Sequence, residues 1–279
     1  MRLARCFIHR NLRTLALNFC LSVVLLASTF AQDQASDTAR LFGHADKEAG
    51  GLIAIIYDFK QTQMRQPSTT TPETYPGIVK EFLRQGWDEQ VLNRYFRITR
   101  PLYSTQIFIP NIPADTAPKA FNVEKVIKPS LWIIHYKGQV SPPEDGTYRF
   151  AGYADDVLAV AVNSKTVCVG ARSDMQMDAV WKSSDKPGAH AFNGNLAYGD
   201  WITLKKDKPI DLDVLIGERP GGEFCAFLLY QKQGETYQTD AKGNLILPVF
   251  QLAPQEIKVK YPNDAPVFTI SPKRWQQYQ

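Results

Sequence analysis

Histidine, cysteine and methionine are scarce in this chain. Four of each occur in 279 residues, and Cys6, Cys20 and His9 fall inside an N-terminal segment that reads as a leader. Two remaining cysteines, Cys168 and Cys225, without paired histidines argue against a structural zinc centre. Also missing are a G-x-S-x-G elbow, an H-E-x-x-H helix, a phosphate-binding Gly-Lys loop and a dinucleotide fingerprint. No period repeats along the chain, and no long stretch is low in complexity. An excess of one charge is lacking as well. The net +4 is carried by Arg2, Arg5, Arg10 and Arg13; without them 28 basic residues face 28 acidic ones. Nucleic-acid recognition needs a basic face, and the remaining sequence shows none.

What is present begins with a targeting pattern. The four arginines precede the apolar run Leu15–Phe30, and small Thr29 and Ala31 suit signal-peptidase cleavage after Ala31. Residues 1–31 therefore read as a signal peptide and the protein as exported, to a periplasm or beyond the cell. An uncleaved leader would instead act as a membrane anchor. Residues 32–48 are polar and read as a flexible lead-in.

The fold opens at Gly50-Gly51 with LIAIIYDF, a β-rich run. Pro76 suits a first helical turn, with Ile78, Val79, Phe82 and Leu83 at helical spacing. Asp88 can cap a second helix carrying Val91, Leu92, Tyr95 and Phe96. Ile107–Ile109 reads as a short strand and Ala114–Phe121 as a short helix. From Leu131 strands dominate, at 131–140, 146–153, 156–163, 166–171, 201–205, 209–217 and 223–231. They are separated by turn signals at Pro142–Gly146, Asn163-Ser164, Lys206-Asp207 and Arg219–Gly222. Many short strands with such turns predict a β-sandwich over 49–252, with a small helical insertion at about 72–121. The polar connection 172–200 has the length of a functional loop. Residues 253–279, rich in proline, read as an extended surface tail.

One stretch carries the candidate chemistry. A strand opening with Gly146-Thr147-Tyr148-Arg149-Phe150 leads to adjacent acids, Asp155-Asp156, then to Leu158, Val160 and the Asn163–Val167 hairpin. With Tyr136, Gly138 and the Pro142-Pro143 turn before it, this stretch resembles the PA-fourteen domain family, β-sandwich modules of toxins, glycosidases and adhesins. Looser likeness extends over about 50–232, with 61–130 standing as an insertion. In fungal adhesin members the paired aspartates share a cis peptide and hold a calcium ion that contacts sugar hydroxyls. The resemblance thus implies Asp155 and Asp156 as calcium and sugar ligands, and carboxylate oxygens are suitable hard donors. Val157 departs from the glycine common after the pair. The late loop, where adhesins supply an asparagine, here holds Glu218, which could replace it, and Arg219, which could equally neutralise the aspartates.

Read physically, two adjacent acids at a sheet rim need a cation or hydrogen-bond donors, so they serve either a ligand or a turn. Tyr153, Trp181, Tyr198 and Trp201 are candidate sugar platforms, each with core packing as its alternative. His190 could contact a ligand from the polar loop, while His135 alternates with apolar residues as a satisfied strand histidine does. Cys168 and Cys225 are either a disulfide, which export permits, or two buried apolar side chains.

The leading expectation is a non-enzymatic binding module that takes carbohydrate or glycoprotein at the Asp155-Asp156 rim with Tyr153, Glu218 and Arg219. It requires no cofactor, with calcium as an optional aid. A protein-interaction domain would instead expose an apolar patch around Phe82, Trp87 and Phe96. A glycoside hydrolase would need a second carboxylate across a cleft.

Overall fold

The computed structural model describes residues 40–278; the leader and its cleavage site lie outside the described residues. The strands are β1 (Leu52–Thr62), β2 (Tyr95–Arg97), β3 (Leu102–Ser104), β4 (Phe108–Pro113), β5 (Trp132–Ser141), β6 (Gly146–Asp155), β7 (Val157–Val162) and β8 (Lys165–Ala171). They continue with β9 (His190–Ala191), β10 (Gly194–Asn195), β11 (Ala197–Tyr198), β12 (Ile202–Leu204), β13 (Ile210–Glu218) and β14 (Glu223–Lys232). The last three are β15 (Leu247–Pro248), β16 (Phe268–Thr269) and β17 (Gln276–Tyr278). The α-helices are α1 (Tyr75–Arg84) and α2 (Thr116–Ala120). Among the described residues no helix is long and apolar enough to cross a membrane.

The chain is mainly β, an antiparallel sandwich of two sheets. One has the order β2-β1-β5-β13-β7-β8, with β3 on β1 and β17 on β5. The other runs β11-β6-β14-β4, with β12 on β6. Between them lies the main core, where Ile134, Tyr136, Val160 and Ile216 of the first sheet face Phe150, Ala154, Phe224 and Leu228 of the second.

Both outer faces are covered too. Ile78, Val79 and Phe82 of α1, with Trp87, Leu92, Met175 and Met177, pack on the outer face of the first sheet. On the second, Tyr153, Phe227 and Leu229 lie beneath Ala189, Leu196, Val249 and Phe268. A strand buried on both faces has no polar side, which accounts for the unbroken apolar run of β7. The β7–β8 hairpin turns on Asn163 and Ser164, both left-handed at φ 49° and 65°, the geometry that matches strand twist in a two-residue turn.

Four expectations are corrected by this arrangement. The second helix is one 3-10 turn, Glu89–Val91, capped by Asp88; Tyr95 and Phe96 are instead drawn into pairing with β1. The region 61–130 is no detached insertion, because β2, β3 and β4 extend both sheets. Phe82 and Trp87 are buried, and Arg65 lies over the ring of Phe96 at 4.2 Å, so no apolar docking patch forms there. The flanks are also built in. Phe42, within the expected lead-in, is a core residue, and Trp275, within the expected surface tail, is buried among Tyr148, Phe150, Tyr230 and Phe250.

Cys168 and Cys225 are free thiols. Cys168 points into the core between the sheets, whereas Cys225 belongs to the outer face of the second sheet. Different layers keep the thiols from pairing, so the disulfide alternative is set aside and the apolar reading stands.

Candidate functional site

The paired aspartates sit where the chain passes from one sheet to the other. Asp155 ends β6, in register with Cys225 of β14; Val157 opens β7, in register with Gly217 of β13. Asp156 lies between the layers. Its amide donates to the Gly217 carbonyl (2.9 Å), and its own carbonyl accepts from the Arg172 amide (2.9 Å). The Asp155–Asp156 peptide is cis. The pair is not an open rim: Asp155 is 5% and Asp156 2% exposed.

Side chains from three loops converge on it. Strand alternation sends Asp155 to the outer face of the second sheet, where Asn193, in the β9–β10 turn, donates to its Oδ2 (2.8 Å). The Tyr153 hydroxyl donates in turn to Asn193 Oδ1. Tyr153 itself is buried, so it braces this asparagine and is no sugar platform. The Arg219 amide donates to Asp156 Oδ2 (2.6 Å), and its Nε stands 3.8 Å from Oδ1. Arg172, directly after β8, places Nη1 3.5 Å from Asp155 Oδ1 and 3.4 Å from Asp156 Oδ1. Both guanidiniums are held by Asp174 Oδ2, at 3.1 Å from Arg172 Nη2 and in closer contact with Arg219 Nη2.

Four carboxylate oxygens remain without a hydrogen-bond donor: Oδ1 of Asp155, Oδ1 of Asp156 and both oxygens of Glu218. Glu218, at the end of β13, is 1% exposed. Burial is the main cause of its high pKa, about 10, and the charges of Asp156 and Asp155 add to it. Burial likewise raises Asp155 and takes Asp156 to about 6. The two arginines act in the opposite direction without cancelling the desolvation. Among the described residues no group of three His, Cys, Asp or Glu side chains is gathered as a metal site. The fit to a hard cation therefore rests on the two Oδ1 atoms, oxygen donors satisfied only by the long ion pairs to Arg172 and Arg219.

Beside the pair opens a cleft of about 1230 Å³ whose walls include Arg172, Asp174, Trp181, Asn193 and Asn195. Two of these, Arg172 and Asn193, are the side chains that touch Asp155. Trp181 is half-buried and donates through Nε1 to Asp200 (3.3 Å). Trp201 stands on the surface beneath Arg149, which lies 4.4 Å from its ring and 4.4 Å from that of the buried Tyr198. His190 is exposed on β9 and does not line the cleft. Arg172, Asp174 and Asn193 escaped the sequence reading; the only signal was that all three lie in the long polar connection.

No protein-family model matches this sequence, and no curated protein is significantly similar to it. Solved structures are similar at low identity. A PA14 sugar-binding domain from an RTX adhesin shares 13% identity over 72% of this chain and 95% of its own, at a TM-score of 0.34. The A domain of epithelial adhesin 9 from Candida glabrata, in complex with Galb1-3GlcNAc, shares 12% over 73% and 92%, at 0.39. An anti-sigma factor domain-containing protein from Clostridium clariflavum shares 12% over 82% and 50%, also at 0.39. Likeness at this level says nothing about the ligand of this chain.

Proposed function

We propose that this protein is an exported, non-enzymatic carbohydrate-binding module. Its ligand enters the cleft beside Asp155-Asp156, and calcium assists. The observation that carries the reading is the pair of buried Oδ1 atoms, met only by guanidiniums at 3.4–3.8 Å, next to a cleft walled by amide and aromatic side chains. Buried carboxylate oxygens are seldom left without a donor, and sugar hydroxyls or a hard cation would supply what is missing. The sugar-binding descriptions of the adhesin domains accord with this reading without carrying it.

Asp155 and Asp156 would hold calcium through Oδ1, and the bound ion would supply a hard positive centre for sugar hydroxyls. The chain's own residues do the positioning. Asn193 fixes the Asp155 carboxylate, the Arg219 amide fixes that of Asp156, and Trp181 offers an apolar wall on which a sugar ring can rest. A hydrolase reading lacks a free acid. Among the described cleft residues, Asp174 is bound to Arg172 and Arg219, Asp178 to Lys182 and Asp185 to Arg149.

A glycan array probed with the full chain in calcium and in chelator tests the reading. We expect binding to at least one glycan class, weakened tenfold or more by Asp156→Asn. No glycan above background in either condition would reject it.

A further inference from the structure

Arg172 stands where an added cation would have to go. Its Nη1 is ion-paired with Oδ1 of both Asp155 and Asp156, at 3.5 and 3.4 Å. Its firmer contact is Nη2 to Asp174 Oδ2 at 3.1 Å. The side chain is 36% exposed and forms part of the wall of the open cleft. Arg219 differs. Its side chain is 15% exposed, and it holds Asp156 through its backbone amide, which cannot swing away.

We propose that Arg172 is an exchangeable counter-ion: its guanidinium neutralises Asp155-Asp156 while no external cation is present, and it must swing into the cleft before a divalent cation can be held. The inference rests on the site assigned above but not on any glycan. Calcium bonds to oxygen at roughly 2.3–2.6 Å. A guanidinium 3.4–3.5 Å from the same two oxygens and a calcium ion cannot share that place. The two positive groups also repel each other where little water screens them. Arg172 therefore sets how readily the pair accepts a metal, and Asp174 sets how readily Arg172 leaves.

The test is calcium titration by calorimetry on the full chain, with thermal melts in chelator and in calcium. Arg172→Gln is expected to bind calcium at least tenfold more tightly than the wild type. It should melt lower in chelator, where the aspartates have lost their counter-ion, and gain more from calcium than the wild type gains. Folding of this variant only in the presence of calcium meets the same expectation. If it folds in neither condition, Arg172→Lys decides. The ammonium lacks the second nitrogen that reaches Asp174, so it competes less well, and calcium affinity should rise threefold or more. Affinity unchanged or lowered in the variant that folds, or no calcium heat from any form, would overturn the proposal and leave Arg172 a fixed structural partner. Absence of calcium heat would also remove calcium from the proposed function, whereas glycan binding measured in chelator tests the carbohydrate reading by itself.

Discussion

Gly170 shows how closely the backbones meet beside the site. A Cβ there would fall inside contact distance of the Gly152 carbonyl, across from β8 to β6. Backbone cannot step aside as a flexible side chain can. We expect Gly170→Ala to destabilise the fold by about 3 kcal/mol, the upper part of the overpacking range, in urea unfolding. Gly222→Ala, where the added methyl meets nothing within 4 Å, should stay within about 0.5 kcal/mol of the wild type. At this scale the sequence is readable only where chemistry is local. Asp155 and Asp156 stand out because adjacency is visible in a string of letters. Asn193 and Arg172 reach them from 38 and 17 residues away through a loop of no regular period, and nothing in either residue announces that.

Among elements, the outer cover of the first sheet is held by an ion cluster around one buried histidine. His135, on β5 and 2% exposed, lies with Nε2 2.8 Å from Asp213 of β13 and Nδ1 3.3 Å from Glu89 of the 3-10 turn. Lys137 also reaches Glu89 (2.6 Å), while the facing Phe82 and Trp87 bring rings and no charge. Although burial acts to lower the His135 pKa, bonds to the two acids leave it raised; the bond to His135 is the main cause that lowers Glu89, to about 2. A raised histidine stabilises fully below its unfolded pKa and loses that contribution as pH rises through the folded one. A lowered glutamate contributes above its unfolded pKa and fades as pH falls towards about 2. The latch is thus strongest between roughly pH 4.5 and 6.5. Asp156 and Glu218, both raised, also lose stability as pH climbs through their folded values. Urea midpoints should therefore fall from pH 5.5 to pH 8, and fall less in His135→Gln; equal falls in both would remove the latch.

Strand boundaries were legible here because Pro142–Gly146, Asn163-Ser164 and Arg219–Gly222 punctuate them with turn chemistry. The failed second helix was not, because its aromatic spacing fits a helix as well as an edge. Pairing with β1, a tertiary event, decides for the edge.

The whole molecule is closed by its tail. Trp275 is wedged between four aromatic rings at centroid distances of 5.3–5.7 Å, and β17 then pairs with β5. Gln277 clasps both polar groups of Gly51, accepting from its amide (2.6 Å) and donating to its carbonyl (3.0 Å). Trp275→Ala should destabilise by about 3–5 kcal/mol in urea unfolding, as loss of a fully buried large aromatic does. A cost below 1 kcal/mol would mean that the tail is dispensable. Proline content correctly marks this segment as irregular, yet irregular backbone can still deliver one large side chain to a core, and composition is blind to that.

Because each sheet is clothed on its outer as well as its inner face, the central strands offer few positions where a polar replacement would meet water. Variation that leaves the scaffold intact is driven outward, to exposed positions such as Ser173, Gln176, Asp178, Lys182 and Asn195, which line the cleft. Selection for a new binding preference in a randomised library can therefore work on those walls while the body beneath them stays the same.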